Sequence, residues 1–223
     1  MRFNILNLCF LSFIIGNNSL MIPRRTILKS PSIFLTMNNN NEKNHESINI
    51  NQGNSILFYG PVTAESCFNL RNQLVTLDSN SKIFATQYST PPPPINLHIQ
   101  SSGGSLMNTY YIVDLIQSLE TPVNTFIDGF AASAATLISV AGDKRYMTKN
   151  SLMLIHQLSS QNGGKFNEIK DDMANLETMM RLLKKIYLER TNLNNYQLDE
   201  LLKQDLWLDS ETCLKYGLVD EII

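Results

Sequence analysis

A layered α/β fold is expected from this sequence, on three observations. From Ser55 onward, apolar segments of strand length alternate with segments of helical period. Glycine and proline punctuate the joins, most clearly at Gly60-Pro61 and Gly103-Gly104. One long segment, Phe166 to Arg190, carries its apolar residues on a single helical face.

The elements follow in order. Ile56-Leu57-Phe58-Tyr59 reads as a buried strand closed by Gly60-Pro61. Thr63 is a cap for a helix whose apolar residues are Phe68, Leu70, Leu74 and Leu77. Asp78 to Pro94 is expected to be a loop. It ends in the prolines Pro91 to Pro94, a stiff spacer and, in a rival use, a ligand of the SH3 type. Ile95 to Ile99 alternates as a strand, with Asn96 and His98 on the face opposite Ile95, Leu97 and Ile99. Gly103-Gly104 turns the chain into a helix carrying Leu106, Tyr110, Val113 and Ile116. Val123 to Ile127 is the next strand, and an alanine-rich helix follows Phe130. Arg145–Met147 and Leu152–Ile155 are short strands. In the long helix, Ile169, Met173, Leu176, Met180, Leu183 and Tyr187 step by four and three, a seam for another helix. A short helix near Gln197–Lys203 precedes Leu206-Trp207-Leu208.

Composition bounds the function. A hydrophobic content of 43% and a charged content of 17% over 223 residues fit one packed domain with a leader. The formal net charge of −2 gives no electrostatic case for nucleic acid. Cys9, Cys67 and Cys213 are too scattered for a disulfide framework or a metal cluster, and the last two are expected to be buried thiols. Residues 1–41 hold Arg2, Arg24, Arg25 and Lys29 and no acid. The short apolar run Ile5–Ile15 resembles a secretory signal, and the basic, hydroxylated stretch after it resembles a transit peptide. That order fits import into a complex plastid, with a mitochondrial presequence or a membrane anchor as rivals. The chain thus divides into a targeting leader (1–41), a disordered Asn-rich linker (42–54) and a folded domain (55–223).

The chemistry centres on Asp128-Gly129-Phe130-Ala131-Ala132-Ser133-Ala134-Ala135-Thr136. The small neighbours leave room for a carbonyl carbon to reach the Ser133 hydroxyl. A strand gives way to a helix there, and a helix N-terminus offers unpaired N–H groups to an oxyanion. The Ala134 N–H is one such donor, and the Gly103-Gly104 turn is the best source of a second. An Ala/Ser helix packed tightly in a core would account for the same residues. The serine needs a base. His45 lies in the Asn-rich tract and His98 on a strand's polar face, so His156, at the end of an apolar strand, is the choice. A carboxylate must orient that imidazole. Asp205 beside Leu206-Trp207-Leu208 is expected to be half-buried, with Asp199, Asp209 and Asp220 as rivals. Together these residues point to covalent serine hydrolysis.

From about Ile56 to Ile222 the sequence resembles the proteolytic subunit of the Clp protease, the ClpP group. The matching pieces are Ser101-Ser102-Gly103-Gly104, Gly129-Phe130-Ala131-Ala132-Ser133, Met153-Leu154-Ile155-His156-Gln157 and Tyr216-Gly217-Leu218-Val219-Asp220. The resemblance implies a spiral of ββα units, the ClpP/crotonase-like fold, with Phe166–Arg190 as its protruding handle helix. It assigns Ser133 as nucleophile, His156 as base, Asp205 as acid, and Gly104 and Ala134 as oxyanion donors. It puts Gly163 and Gly164 near the strand that pairs with an extended peptide. It further implies stacked heptameric rings around a proteolytic chamber, an AAA+ ATPase partner that consumes ATP and feeds unfolded protein, and no metal or cofactor in this subunit. The sequence departs from the family in four places. An Asn-rich tract stands before the first strand, Ser102 replaces a proline, Gln204 cannot make the usual inter-ring ion pair, and the stretch Asp78–Pro94 is long. These departures fit a second reading, a structural or regulatory subunit of a mixed ring. Acyl-CoA chemistry on the related crotonase fold is a third; it has no use for a Ser–His–Asp set.

Overall fold

A computed structural model gives the architecture and describes residues 53–161 and 163–223. The leader and all of the linker except its last two residues lie outside the described residues, as do Cys9 and His45.

Seven strands and six helices follow one another in mixed order among the described residues. Strand β1 (Ser55–Tyr59) leads to helix α1 (Ala64–Tyr88), then β2 (Ile95–Ser101), α2 (Leu106–Ser118), β3 (Val123–Ala132) and α3 (Ala134–Val140). Strands β4 (Lys144–Met147) and β5 (Leu152–Leu154) precede the long α4 (Phe166–Arg190), α5 (Asn195–Leu202), β6 (Trp207–Leu208), α6 (Ser210–Lys215) and β7 (Glu221–Ile222). Strands β1, β2, β3, β4 and β7 form a parallel sheet in that spatial order. Strand β3 is long enough to serve two partners. Its first half pairs with β4, and its last residues, Phe130 to Ala132, pair with β5, which in turn pairs antiparallel with β6. Such parallel connections need crossover segments, and α1, α2 and α3 supply them. The alternation of elements in the sequence implied a layered α/β fold, and the parallel sheet with its crossover helices is that fold.

Alternation along the strands decides which face is covered. Ile56, Phe58, Ile95, Leu97, Ile99, Val123 and Ile127 are buried, while Leu57, Tyr59, Asn96 and His98 point the other way. On the less covered face His98 stacks on Phe126 and Phe126 on Tyr146, with ring centroids 4.7 and 4.6 Å apart. Cys67 and Cys213 are free thiols in the core. Among the described residues no helix is long and apolar enough to cross a membrane.

Several expectations are corrected. Asp78 to Tyr88 is helix, not loop: α1 runs unbroken until Ser89 turns left-handed ahead of the prolines. No glycine or proline interrupts it, and its buried face, Cys67, Leu70, Leu74, Asp78 and Ser81, repeats by threes and fours past Asp78 as far as Ser81. Phe68 falls off that face and is 62% exposed. Strand β3 extends five residues past Ile127, because β5 provides a second partner for its end. Helix α6 and strand β7 were not foreseen; both are short, and Asp209 caps the former through the Thr212 N–H at 2.8 Å. The α4 seam is buried only in its second half. Leu183 and Tyr187 are in the core, whereas Ile169 is 47% and Met173 62% exposed.

The polar residue on the α1 face is held by charge. The Asp78 carboxylate accepts the Thr121 N–H at 3.1 Å and pairs with Lys82 at 2.9 Å. Burial pushes its pKa up, but the bonds from Thr121 and Lys82 outweigh burial and hold it below the ordinary value. Asp78→Ala is therefore expected to lower the unfolding free energy by about 2 kcal/mol at neutral pH. A depressed folded-state pKa gives stability that is present above the unfolded value, about 4, and lost as pH falls through the folded one. Urea unfolding at pH 7 and at pH 3 checks this. The gap between wild type and variant shrinks at the lower pH, and an equal gap at both would rule out the carboxylate as its source.

Candidate active site

Strand β3 ends at Ala132, and α3 begins at Ala134. The one residue between them, Ser133, has φ 55° and ψ −129°, a conformation that side chains other than glycine seldom adopt. Its N–H donates to the Leu154 carbonyl at 2.8 Å, which continues the β3–β5 pairing through the bend. Its carbonyl accepts the Thr136 N–H at 3.0 Å and the Thr136 hydroxyl at 2.5 Å. The serine is thus held on both sides at the carboxyl end of a central strand, where α/β sheets place their ligands.

The glycine turn lies directly against this bend. A Cβ built on Gly103 would stand 2.5 Å from the Ala132 carbonyl oxygen and 2.8 Å from the Ser133 Cβ, and Gly103 has φ +84°. A Cβ on Gly104 would stand 2.3 Å from the Val62 carbonyl oxygen. Only glycine permits both approaches. Val62 clamps the turn: its N–H donates to the Gly103 carbonyl and its carbonyl accepts the Ser105 N–H, both at 2.8 Å. Among the described residues, neither the Gly104 nor the Ala134 N–H donates a hydrogen bond.

His156 and Asp205 meet by strand register. Strands β5 and β6 pair Met153 with Leu208 and Leu154 with Trp207. Continuing that antiparallel register two residues further sets His156 opposite Asp205, on the same face. The His156 Nδ1 and the Asp205 carboxylate are 3.0 Å apart. The Gln157 N–H donates to the Leu202 carbonyl at 3.0 Å and holds the neighbouring stretch in place. The rival acids have other work. Asp199 pairs with Lys184, Asp209 caps α6, and Asp220 pairs with Arg145. The expectation of a half-buried Asp205 is corrected: its side chain is 78% exposed, because Leu206 and Trp207 beside it are themselves exposed.

Gly104, Ser133, Ala134 and His156 line one cleft of about 430 Å³. No hydrogen bond joins the Ser133 hydroxyl to the His156 ring among the described residues, so this contact is open in the single chain. Leu106, Leu158, Met179 and Leu183 line the cleft with apolar surface, beside the polar Gln157, Ser159 and Ser160. Gly163 and Gly164 are exposed ahead of α4 and do not line the cleft. A larger groove of about 890 Å³ runs along α4 and contains none of the site residues that the sequence singled out. Among the described residues no cluster of three His, Cys, Asp or Glu side chains is placed to hold a metal ion. Two further residues of this region, Thr136 and Tyr187, carried no signal in the sequence beyond the small-residue run and the helical seam. They bond to each other behind Ser133.

The Clp protease family model matches residues 37–223, reaching back into the Asn-rich tract. The ATP-dependent Clp protease proteolytic subunit of Streptococcus mutans is 32% identical over 174 residues, covering 75% of this chain and 83% of the relative. A ClpP1 mutant from Listeria monocytogenes has a similar solved structure, with a TM-score of 0.66 and 27% identity over 76% of this chain and 91% of that one. Sequence match and fold agree: the chain belongs to the Clp protease family.

Proposed function

We propose that this chain is a serine endopeptidase subunit that cuts unfolded protein through a Ser133–His156–Asp205 triad. One observation carries the reading. A strained serine, two undonated N–H groups and an imidazole share one cleft, and a carboxylate stands behind the imidazole. The Ser133 oxygen attacks the peptide carbonyl carbon while His156 takes the hydroxyl proton. The carbonyl electrons move onto oxygen, where the N–H groups of Gly104 and Ala134 receive them. The C–N bond then breaks, and His156 passes its proton to the leaving amine. Water repeats the sequence on the acyl-enzyme and releases the acid. Asp205 accepts the Nδ1–H of His156 and stabilises the imidazolium. The Ser133–His156 contact closes when substrate or neighbouring subunits settle the cleft.

The exposed apolar residues of α4 support assembly through this helix into rings around a chamber. An ATPase partner would deliver unfolded chains and consume the ATP, with no cofactor in this subunit. The family resemblance would put Gly163 and Gly164, exposed ahead of α4, beside an extended peptide. The acid-free leader supports import into a plastid ahead of a mitochondrion. The apolar part of the cleft, Leu106, Leu158, Met179 and Leu183, favours an apolar side chain next to the cut bond.

The assembled wild-type protein is expected to take up a fluorophosphonate probe at Ser133, and Ser133→Ala to take up none. Absence of labelling on the assembled particle would sink the serine mechanism. Asp205→Asn should lower kcat on a short apolar peptide at least about a thousandfold, because the imidazole loses its orienting acceptor. Gly103→Ala puts a methyl group into the backbone of the bend and should lower the same rate about a hundredfold. A rate near that of wild type would separate the bend from the turn.

A further inference from the structure

We propose that Tyr187 is a positioning residue for the nucleophile: its hydroxyl, acting through Thr136, fixes the Ser133 carbonyl and with it the bend that presents the serine. This rests on the serine-protease reading of the same site. The assignment begins with the protons. The Thr136 hydroxyl has one proton, and it goes to the Ser133 carbonyl. The bond between Thr136 Oγ1 and the Tyr187 hydroxyl must then have tyrosine as donor. The chain of donation runs one way, from α4 through α3 to the carbonyl of Ser133.

Three features make this more than core packing. Tyr187 is 2% exposed and yet lines the cleft that holds Ser133 and His156. A buried phenol without a partner is unfavourable, so phenylalanine would suit a purely apolar role at this position better. Burial raises the Tyr187 pKa well above its ordinary value, so the hydroxyl keeps its proton and remains a donor. Ser133 sits in a strained conformation, which persists only when its surroundings over-determine it. Its N–H is fixed by Leu154, and Thr136 and Tyr187 fix the other side. The carbonyl of Ser133 belongs to the same peptide group as the N–H of Ala134. Its orientation therefore also sets one oxyanion donor.

The experiment compares Tyr187→Phe with Tyr110→Phe in the full, assembled protein. Tyr110 gives α4 a comparable bond, to the Met179 carbonyl at 2.6 Å, but does not line the cleft. Fluorophosphonate labelling rates at Ser133 and kcat and KM on a short peptide are the readouts, with native mass as the check on assembly. Tyr187→Phe is expected to slow labelling and kcat about tenfold with KM unchanged, and Tyr110→Phe to stay within about twofold. Thr136→Ser, which keeps the hydroxyl, should stay near wild type, and Thr136→Val should be as slow as Tyr187→Phe or slower. In the Thr136→Val background, adding Tyr187→Phe should cost little more. Should Tyr187→Phe fail to assemble, the Thr136→Ser and Thr136→Val pair decides: equal rates overturn the relay, and a slow valine variant with normal mass upholds it. Labelling of wild type with an unslowed Tyr187→Phe overturns the inference alone. Equal slowing by both tyrosine variants also overturns it. Wild type that does not label at all overturns the serine-protease reading, and the inference with it.

Discussion

The backbone of Gly103 is pressed against the bend at Ala132-Ser133-Ala134, closer than any side chain could come. On this contact the rest of the site depends. It brings the Gly104 N–H from the end of β2 and the Ala134 N–H from the start of α3 to one cleft. Neither side of the contact is relaxed. Two glycines occupy positive φ, and Ser133 does so with a side chain, at a cost of about 1–3 kcal/mol. The surrounding bonds offset this: Val62 clamps the turn, Leu154 holds the serine N–H, and Thr136 holds its carbonyl. Moving β2 or β3 by one residue would part the glycines from the serine. The parallel register of those strands is thus the deeper constraint, and the buried alternation of Ile95, Leu97, Ile99 and Val123, Thr125, Ile127 enforces it.

Much of this architecture was legible in the sequence, because burial writes a period into it. The alternation in β2 and the seam of α4 predict both elements, the latter at its observed ends. Periodicity failed where a partner, not a pattern, sets the length. Strand β3 continues through Gly129 because β5 lies beside it, and that pairing spans more than twenty residues of chain. The second half of α1 read as loop because polar residues crowd it. The helix survives there because Asp78 and Ser81 are bonded inside the fold by Thr121 and Asn54. A buried polar residue with a distant partner looks like a solvated one when only the sequence is seen.

The same limit divides the site residues. Ser133 and the glycine turn stood out because close approach demands small residues, and that demand is written locally. His156 emerged by elimination among three histidines. Asp205 could not be separated from Asp199, Asp209 and Asp220 by spacing, since what distinguishes it is the β5–β6 register. Resemblance to a family supplied that choice; local chemistry did not. Tyr187 was read as one more apolar step of the seam, which its ring is. Its hydroxyl matters only through Thr136, fifty-one positions earlier in the chain.

Helix α4 joins these arguments. Its first half exposes Ile169 and Met173, apolar surface open to a partner. Its second half walls the cleft with Met179 and Leu183 and reaches the serine bend through Tyr187. A helix is stiff along its axis, so the two halves cannot settle independently. Whatever covers the first half also limits where the second half stands. In the assembly proposed above, this gives a physical route by which association would set the geometry of each cleft. The route runs through one helix, one phenol and one threonine, with no need for a separate signal.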